Sequence, residues 1–401
     1  MPLDQRVFAD GVTDSVESRS VAVGSRVHNR GVKERSIVVP VTSGLIMVAL
    51  AAALMLLPMP YAVERPGPTI NTTGMQDDNL IISIDGAETY PAEEGELRLT
   101  TVSMLGGPAS PAKAFDVLQG WWREDTTVLP REQVFGDETA DELSEYQQIM
   151  MQNSQQNAVA AALQELGYEV PMVINVVEMI PGMKASEVLE VDDIVTGITR
   201  DDTGEGIEIV AFRDLTDFLA ETPPGTEVTV DIVRDHTEQT ETFATSPRPD
   251  GDRRTGSLLG VFIAADIQNP VTIEFDLHRI GGPSAGLMFS LGVIDLMTPG
   301  ELTGGEIIAG TGTMSIDGYV GAIGGVRQKM HGSVRDGASW FLTPIDNCGE
   351  VIGYEPDGLT VIPVDDLAEA HDVVSAIADG DTADLPTCGQ YATEGLVEAR
   401  Q

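Results

Sequence analysis

The stretch Gly281-Gly282-Pro283-Ser284-Ala285-Gly286 decides the fold of the C-terminal part of this chain. After it, a mainly apolar run without charge reaches Ile294, which is long enough for a buried helix. Ser284 is therefore predicted at a helix N-terminus, where free backbone N–H groups and the helix dipole favour negative charge. The alternative is that Ser284 only caps the helix.

A serine in such a turn is a candidate nucleophile. Its hydroxyl needs a base that takes the proton and donors that hold the oxyanion formed in the reaction. We expect N–H groups at the start of the helix to be those donors. The candidate turn and oxyanion residues are Gly282, Pro283 and Ala285.

Lys329 is the candidate general base. Val326, Met330 and Val334 recur at helical spacing and place this lysine at the edge of an apolar face. Burial there would lower the pKa of the lysine, and a neutral amine can accept a proton from serine. Most basic residues of the chain are arginines, which stay protonated and cannot act as the base. The alternative is a lysine whose head group reaches water.

The combined pattern resembles the proteolytic domain of Lon-type serine–lysine proteases. Its pieces are Gly282 to Gly286, Thr311-Gly312, Asp317-Gly318 and Ile323 to Lys329. The resemblance covers residues 256–376 and implies Ser284 as nucleophile, Lys329 as base and Thr311 as a supporting residue beside them. Gly281 departs from the pattern, because Lon proteases often carry an acidic residue at that place.

Residues 172–245 are predicted to form a compact αβ module that resembles a PDZ domain. The matching pieces are Gly182 to Leu189, Asp192 to Ile194 and Pro224 to Arg234. Such a module binds an extended peptide at a sheet edge beside a helix. The expected groove is lined by Val173, Ile174, Asn175, Val176, Leu215 and Leu219. The alternative is a structural domain without a ligand.

An uncharged segment follows a basic cluster near the N-terminus. Residues 1–35 are polar, end in four basic residues from Arg26 to Arg35, and are predicted to be a disordered cytoplasmic tail. Residues 36–63 carry no charge and are long enough for a transmembrane anchor, with the remaining chain outside the cytoplasm. A cleaved signal peptide is the alternative, although the apolar core is long and no A-x-A site follows.

The other segments carry less information about function. Residues 64–171 are predicted to be an extracytoplasmic region of strands and helices without identifiable chemistry, residues 246–255 a polar linker, and residues 377–401 a C-terminal tail. Cys348 and Cys388 both follow the anchor, where a disulfide can form, and two free buried thiols are the alternative.

Composition and motifs exclude several classes of partner. The 401 residues carry a formal net charge of −41, which argues against nucleic acid and against docking on anionic lipid. No lysine follows a glycine, so the chain lacks the Gly-Lys-Ser/Thr of a nucleotide-binding loop. The five histidines are scattered without a metal-binding motif. We therefore expect no ATP, no metal and no cofactor.

These features predict an α+β multidomain protein with an N-terminal transmembrane helix, a PDZ-like domain and a Lon-type α/β domain. The ensemble resembles the membrane-anchored, PDZ domain-containing Lon-type serine–lysine proteases of Gram-positive bacteria. The resemblance implies an ATP-independent serine endopeptidase in the cell membrane, acting on extracytoplasmic polypeptides that the PDZ-like domain captures. Because Lon-type domains often form rings, it also implies a homo-oligomer. The alternative is a catalytically inactive, membrane-tethered PDZ adaptor.

Overall fold

The structure is a computed structural model that describes residues 38–91, 94–136, 139–249, 252–277 and 280–391. The predicted cytoplasmic tail of residues 1–35 lies outside these ranges, as do residues 392–401 of the predicted C-terminal tail. The chain divides after Ala53 into two units.

The helices of the described residues are α1 Val38–Met55, α2 Ala114–Gly120, α3 Arg131–Phe135, α4 Ala140–Glu165, α5 Phe212–Ala220, α6 Gly286–Met297, α7 Val326–Arg335, α8 Cys348–Val351, α9 Leu367–Asp379 and α10 Cys388–Tyr391. The first ten strands are β1 Tyr61–Asn71, β2 Met75–Gln76, β3 Asn79–Leu80, β4 Ile82–Asp85, β5 Glu96–Leu105, β6 Thr127–Pro130, β7 Met172–Met179, β8 Ile194–Arg200, β9 Gly206–Glu208 and β10 Glu227–Arg234. The others are β11 Thr237–Ala244, β12 Ser246–Pro247, β13 Ser257–Leu258, β14 Val261–Ile267, β15 Thr272–Phe275, β16 Ile307–Gly310, β17 Thr313–Met314, β18 Val320–Gly321, β19 Trp340–Pro344 and β20 Thr360–Val364.

Helix α1 lies within the uncharged segment that the sequence predicted to cross a membrane. In the part of the chain that the structure describes, no helix is both long enough and apolar enough to span a bilayer. The structure also differs from the predicted end of the segment at residue 63. Strand β1 already begins at Tyr61, and Ala62 and Val63 are fully buried in the fold that follows.

The central sheet has six strands in the order β20-β19-β16-β5-β1-β6. Strands β5, β16, β19 and β20 run parallel, whereas β1 pairs antiparallel with β5 and with β6. Half of these strands precede the predicted PDZ-like region and half follow it. The prediction that residues 64–171 form a separate region is therefore wrong, because their strands belong to one sheet together with strands of the Lon-like segment.

Helix α6 is the buried helix predicted after Ser284. Every residue from Gly286 to Asp295 is buried. The helix packs against α4, whose buried face consists largely of alanines that allow close approach. Ser290 Oγ on α6 donates to the carbonyl of Ala158 on α4 at 3.2 Å. This packing fixes where the N-terminus of α6, and hence Ser284, lies.

A second sheet forms a module inserted between α4 and β15, with the order β11-β10-β8-β7-β14 and β9 paired to β8. Strand β14 pairs with β7 from Val261 opposite Met179 to Ile267 opposite Met172. We call residues 172–267 the inserted module. The structure differs from the prediction of a linker at residues 246–255 and of a new domain from residue 256. Strands β12 and β13 pair with each other there, and β14 belongs to the sheet of the inserted module.

A disulfide joins Cys348 on α8 to Cys388 on α10, with 5.0 Å between their Cα atoms. Both cysteines are buried in a cluster with Val351 and Phe341. The predicted tail of residues 377–401 therefore differs from the structure in its first part, because α9 continues to Asp379 and α10 packs on the domain.

Candidate active site

Ser284 lies on a tight turn directly before α6. Gly282 has φ of +89°, a conformation that favours glycine. The Gly282 N–H donates to the carbonyl of Gln147 at 3.2 Å, and Ser154 Oγ donates to the carbonyl of Pro283 at 2.9 Å. Helix α4 thus holds the turn from one side. The N-cap of α6 is Ala285, so Ser284 is not the capping residue, and that alternative does not apply.

The backbone around Ser284 leaves two donors for an oxyanion. The N–H groups of Gly282 and Gly286 are bonded to carbonyls within the protein, and Pro283 has no N–H. Among the described residues, the N–H groups of Ser284 and Ala285 donate to no protein acceptor. Gly282 and Pro283 therefore shape the turn, while Ser284 and Ala285 are placed to hold negative charge.

Lys329 is buried on the side of α7 that faces this turn, with 3% of its surface exposed. Its Nζ donates to Oγ1 of the fully buried Thr311 at 2.9 Å. Thr311 Oγ1 in turn donates to the carbonyl of Ser284 at 3.0 Å. The structure thus brings all three predicted residues together, and the alternative of a lysine reaching water does not apply.

Burial lowers the pKa of Lys329 to about 7, because the ammonium form loses its hydration. Glu64 on β1 acts in the opposite direction, since its negative charge favours the ammonium form. Burial raises the pKa of Glu64 itself. Sequence reasoning missed Glu64, and the one signal for it is an acidic residue directly after the apolar Ala62-Val63.

The start of α7 is held by contacts that the sequence did not indicate. Gly325 has φ of +70°, and a Cβ atom there would lie 2.7 Å from Cγ2 of Val102. Asn347 bonds both backbone groups of Ile323, accepting from its N–H at 2.9 Å and donating to its carbonyl at 2.8 Å. The buried Gln328 donates to Oγ1 of Thr127 at 2.6 Å. These contacts fix the position of α7 along its helix axis, and therefore the position of Lys329.

Ser284 and Lys329 line one cavity of about 690 Å³. Its walls come from β5, α3, α4, the Ser284 turn and α7. Among the lining residues that the structure describes, Lys329 carries the charge and the others are apolar or neutral. The large apolar side chains in the wall include Met104, Phe135, Leu143, Met151 and Ile280. A cavity of this kind suits an uncharged segment of polypeptide next to the serine.

The predicted peptide groove of the inserted module is not open. Strand β7 pairs with β14 along one edge and with β8 along the other. Ile174, Val176, Leu215 and Leu219 are buried in the core of the module. The prediction failed because residues 257–267 were assigned to the next domain, whereas they supply β14, which covers the β7 edge. Val173 and Asn175 are half-buried on the paired strand.

Comparison with known proteins identifies the C-terminal part of this fold. Residues 279–376 match the C-terminal proteolytic domain of Lon protease (S16). The mitochondrial Lon protease homologues of Debaryomyces hansenii and of Scheffersomyces stipitis are each 35% identical over 96 residues, which cover 23% of this chain and 9% of theirs. Lon protease 2 of Bacillus subtilis is 29% identical over 108 residues, 25% of this chain and 19% of its own. This chain thus spans less than a fifth of the length of these relatives.

The PDZ domain of an SdrC-like protein from Listeria monocytogenes aligns with 24% of this chain and 88% of its own, at 14% identity and a TM-score of 0.19. At this TM-score the two folds are not similar enough to assign a fold or a function to this chain.

Fold and site define a serine peptidase. More closely, residues 279–376 are similar to the C-terminal proteolytic domain of Lon protease (S16), with Ser284 and Lys329 at one cavity and Thr311 hydrogen-bonded to the backbone of Ser284 and to Lys329.

We predict that acylation of Ser284 depends on the neutral form of Lys329. Labelling by a serine-reactive acylating probe should rise with pH through a midpoint near 7, because below that pH the lysine is protonated and cannot accept a proton. Lys329→Arg should abolish labelling, since arginine stays protonated. Lys184→Arg, at an exposed lysine of the inserted module, is the matched control. Labelling of Lys329→Arg with the wild-type midpoint would contradict the role of Lys329.

We also predict that Glu64→Gln shifts this labelling midpoint to lower pH. The substitution removes the negative charge that favours the ammonium form of Lys329, so the amine should lose its proton more readily. The pH profile of probe labelling measures the shift. Glu208→Gln, on the exposed strand β9, should leave the profile unchanged. A midpoint that stays fixed or rises in Glu64→Gln would show that Glu64 does not act on Lys329.

Proposed function

We propose that this protein is an ATP-independent serine endopeptidase that cleaves polypeptides with a Ser284–Lys329 dyad. One observation carries the proposal. A buried lysine whose pKa is about 7 is hydrogen-bonded to Thr311 in the cavity that contains Ser284. A Lys329 side chain that pointed into water, far from Ser284, would have favoured the adaptor alternative, and the burial of Lys329 argues against it.

In the proposed mechanism, the neutral amine of Lys329 takes the proton from Ser284 Oγ as that oxygen attacks the scissile carbonyl. The N–H groups of Ser284 and Ala285 hold the resulting oxyanion. The Lys329 ammonium then gives its proton to the leaving amine, and the peptide bond breaks. Water, deprotonated by the same amine, hydrolyses the acyl-enzyme and regenerates Ser284. Thr311 orients Lys329 through the 2.9 Å hydrogen bond.

Cleavage of an unfolded polypeptide by the full chain tests this proposal. Ser284→Ala should lower turnover of a reduced, carboxymethylated protein substrate by about 10⁴-fold or more, because the nucleophile is gone. Ser339→Ala, at an exposed serine on the same domain, is the control. Adding ATP should change neither rate. Turnover that persists in Ser284→Ala, with the fold intact by circular dichroism, would rule out this nucleophile.

We further propose that the inserted module captures polypeptide on the open edge of β14. This strand ends the sheet, and among the described residues its second edge pairs with no strand. Along β14 the side chains alternate between half-buried and exposed, and Val261 and Ile263 pack against the module core. An extended peptide can add to such an edge through its backbone. The sheet-edge capture predicted from the sequence thus moves from β7 to β14.

Binding of a fluorescently labelled, unstructured polypeptide to the Ser284→Ala chain tests this capture. Phe262→Asp should weaken binding roughly two- to fivefold, because Phe262 is exposed beside the position of an added strand. Thr240→Asp lies on β11, at the opposite end of the sheet, and should have no effect. Equal weakening by both variants, or by neither, would argue against binding at β14.

The location and other partners are also proposals. We propose that the uncharged N-terminal segment attaches the protein to the cell membrane in a single pass, with the N-terminus cytoplasmic and the peptidase extracytoplasmic. The basic cluster before this segment supports the orientation. The disulfide between Cys348 and Cys388 supports an oxidising compartment for the peptidase. We propose polypeptides as the substrates, no nucleic-acid partner because of the net charge of −41, and a homo-oligomeric ring because of the resemblance to Lon-type domains.

A further inference from the structure

An exposed apolar surface lies where the chain enters the peptidase fold. We call Leu56, Leu57, Phe115, Leu118, Trp121 and Trp122 the α2 patch, and all six side chains are exposed. Trp122 is 91% exposed and Trp121 62% exposed, which is unusual for the largest apolar side chain. Contiguous exposed apolar side chains of this kind mark an interaction site.

Hydrogen bonds make the α2 patch one surface. The N–H of Ala114 donates to the carbonyl of Leu57 at 2.9 Å, and the N–H of Met59 donates to the carbonyl of Ala112 at 2.8 Å. The ring of Tyr61, at the start of β1, contacts the ring of Trp121 edge-on, with 6.1 Å between centroids. The patch is therefore held against the central sheet.

The one carboxylate within α2 is paired with its neighbours. The one carboxylate of α2, Asp116, accepts from Nη2 of Arg65 and from the N–H of Lys113, each at 3.0 Å. The face that carries Phe115 and Leu118 therefore presents no unpaired carboxylate, although the chain as a whole has a net charge of −41. Within α2, this pairing reduces the repulsion that a free carboxylate would meet at a lipid headgroup layer, and the nearest exposed carboxylate, Glu124, follows two residues after Trp122.

A basic cavity of about 400 Å³ adjoins the C-terminal end of α2. Its wall includes Arg65, Arg123, His331 and Arg335, together with one acidic residue, Asp125. Each arginine is paired with a neighbouring aspartate on one side. Guanidinium groups are suited to phosphate, because their planar array of donors matches its oxygens. An apolar surface with tryptophans, bordered by arginines, has the chemistry of a protein segment at a phospholipid interface.

We infer that the α2 patch docks into the headgroup boundary of a phospholipid bilayer. Trp121 and Trp122 lie at the acyl boundary, and the basic cavity faces the lipid phosphates. The inference rests on the proposed membrane location, because Leu56 and Leu57 of the patch lie within the uncharged segment of residues 36–63. It adds a second membrane contact that belongs to the peptidase fold itself.

This contact would place the active site close to the membrane surface. Strand β1 begins at Tyr61, which touches Trp121, and three residues later carries Glu64, whose charge acts on Lys329. Three residues of strand correspond to about 10 Å. The polypeptides that reach the Ser284 cavity would then be segments near the bilayer, such as the ends of membrane-attached chains.

Tryptophan quenching in vesicles tests the docking. The chain has three tryptophans, so Trp340→Phe leaves emission from the α2 patch alone. The full chain is reconstituted into phosphatidylcholine vesicles with or without bromine atoms on the upper part of the acyl chains. We expect bromine to quench the emission of Trp121 and Trp122, and Trp122→Ser to remove most of this quenching. Unquenched emission from a vesicle-bound chain would overturn the docking while leaving the membrane location intact. A chain that does not float with vesicles would overturn both.

Cleavage of a lipid-tethered peptide is a second, independent readout. The double variant Phe115→Ser, Trp122→Ser should cleave a vesicle-tethered peptide several-fold more slowly than wild type, and the same peptide in solution at the wild-type rate. Tyr354→Ser changes an exposed aromatic residue on α8's C-terminal side and should affect neither rate. Equal loss on both peptides, or a change of oligomeric state in the double variant, would assign the patch to folding or to self-association and overturn the docking. Since quenching does not require turnover, an inactive Ser284 site would not be mistaken for failed docking.

Discussion

The candidate active site depends on one buried amine, that of Lys329, and on the Thr311 hydroxyl that accepts its hydrogen bond. Lys329 is removed from water by α7 and the strands beneath it, and this burial brings its pKa close to neutrality. Thr311 then links the amine to the backbone of Ser284, so that Lys329 and Ser284 are positioned by one short chain of hydrogen bonds. Glu64 opposes the effect of burial. The balance of these two influences keeps the amine near the pKa at which it can both accept and return a proton.

The architecture explains how such a site tolerates a large insertion. Strands β1, β5 and β6 come before the inserted module, and β16, β19 and β20 come after it, yet they form one sheet. The turn that carries Ser284 is held by α4, which precedes the module, and by Thr311 and Gly312, which follow it. Each half of the split domain therefore supplies contacts to the catalytic turn. None of the described residues of the inserted module lines the cavity, so the module can serve another task.

The sequence was informative where a local pattern carries the chemistry. The sequence correctly predicted the turn before α6, the apolar helix α6 itself, the helix that carries Lys329 and the hairpin at Asp317-Gly318. Each of these features depends on residues that are neighbours along the chain. The sequence did not predict that β14 covers the edge of β7 or that β1 and β5 belong to the main sheet. It also did not predict the interactions of Glu64 and Asn347. Strand pairing joins residues far apart in sequence, as β5 and β16 show, and no local periodicity specifies the partner of an edge strand.

The split sheet also has a consequence for synthesis. Strand β5 can pair with β16 only after the inserted module between them has been synthesised. The strands of that module pair mainly with their neighbours in sequence, so the module can fold first. Thr311 and Lys329 emerge later still, and their hydrogen bond requires the sheet to be assembled. A growing chain thus carries Ser284 for some time before Lys329 is in place, and the candidate site is complete only after the fold has closed around both residues.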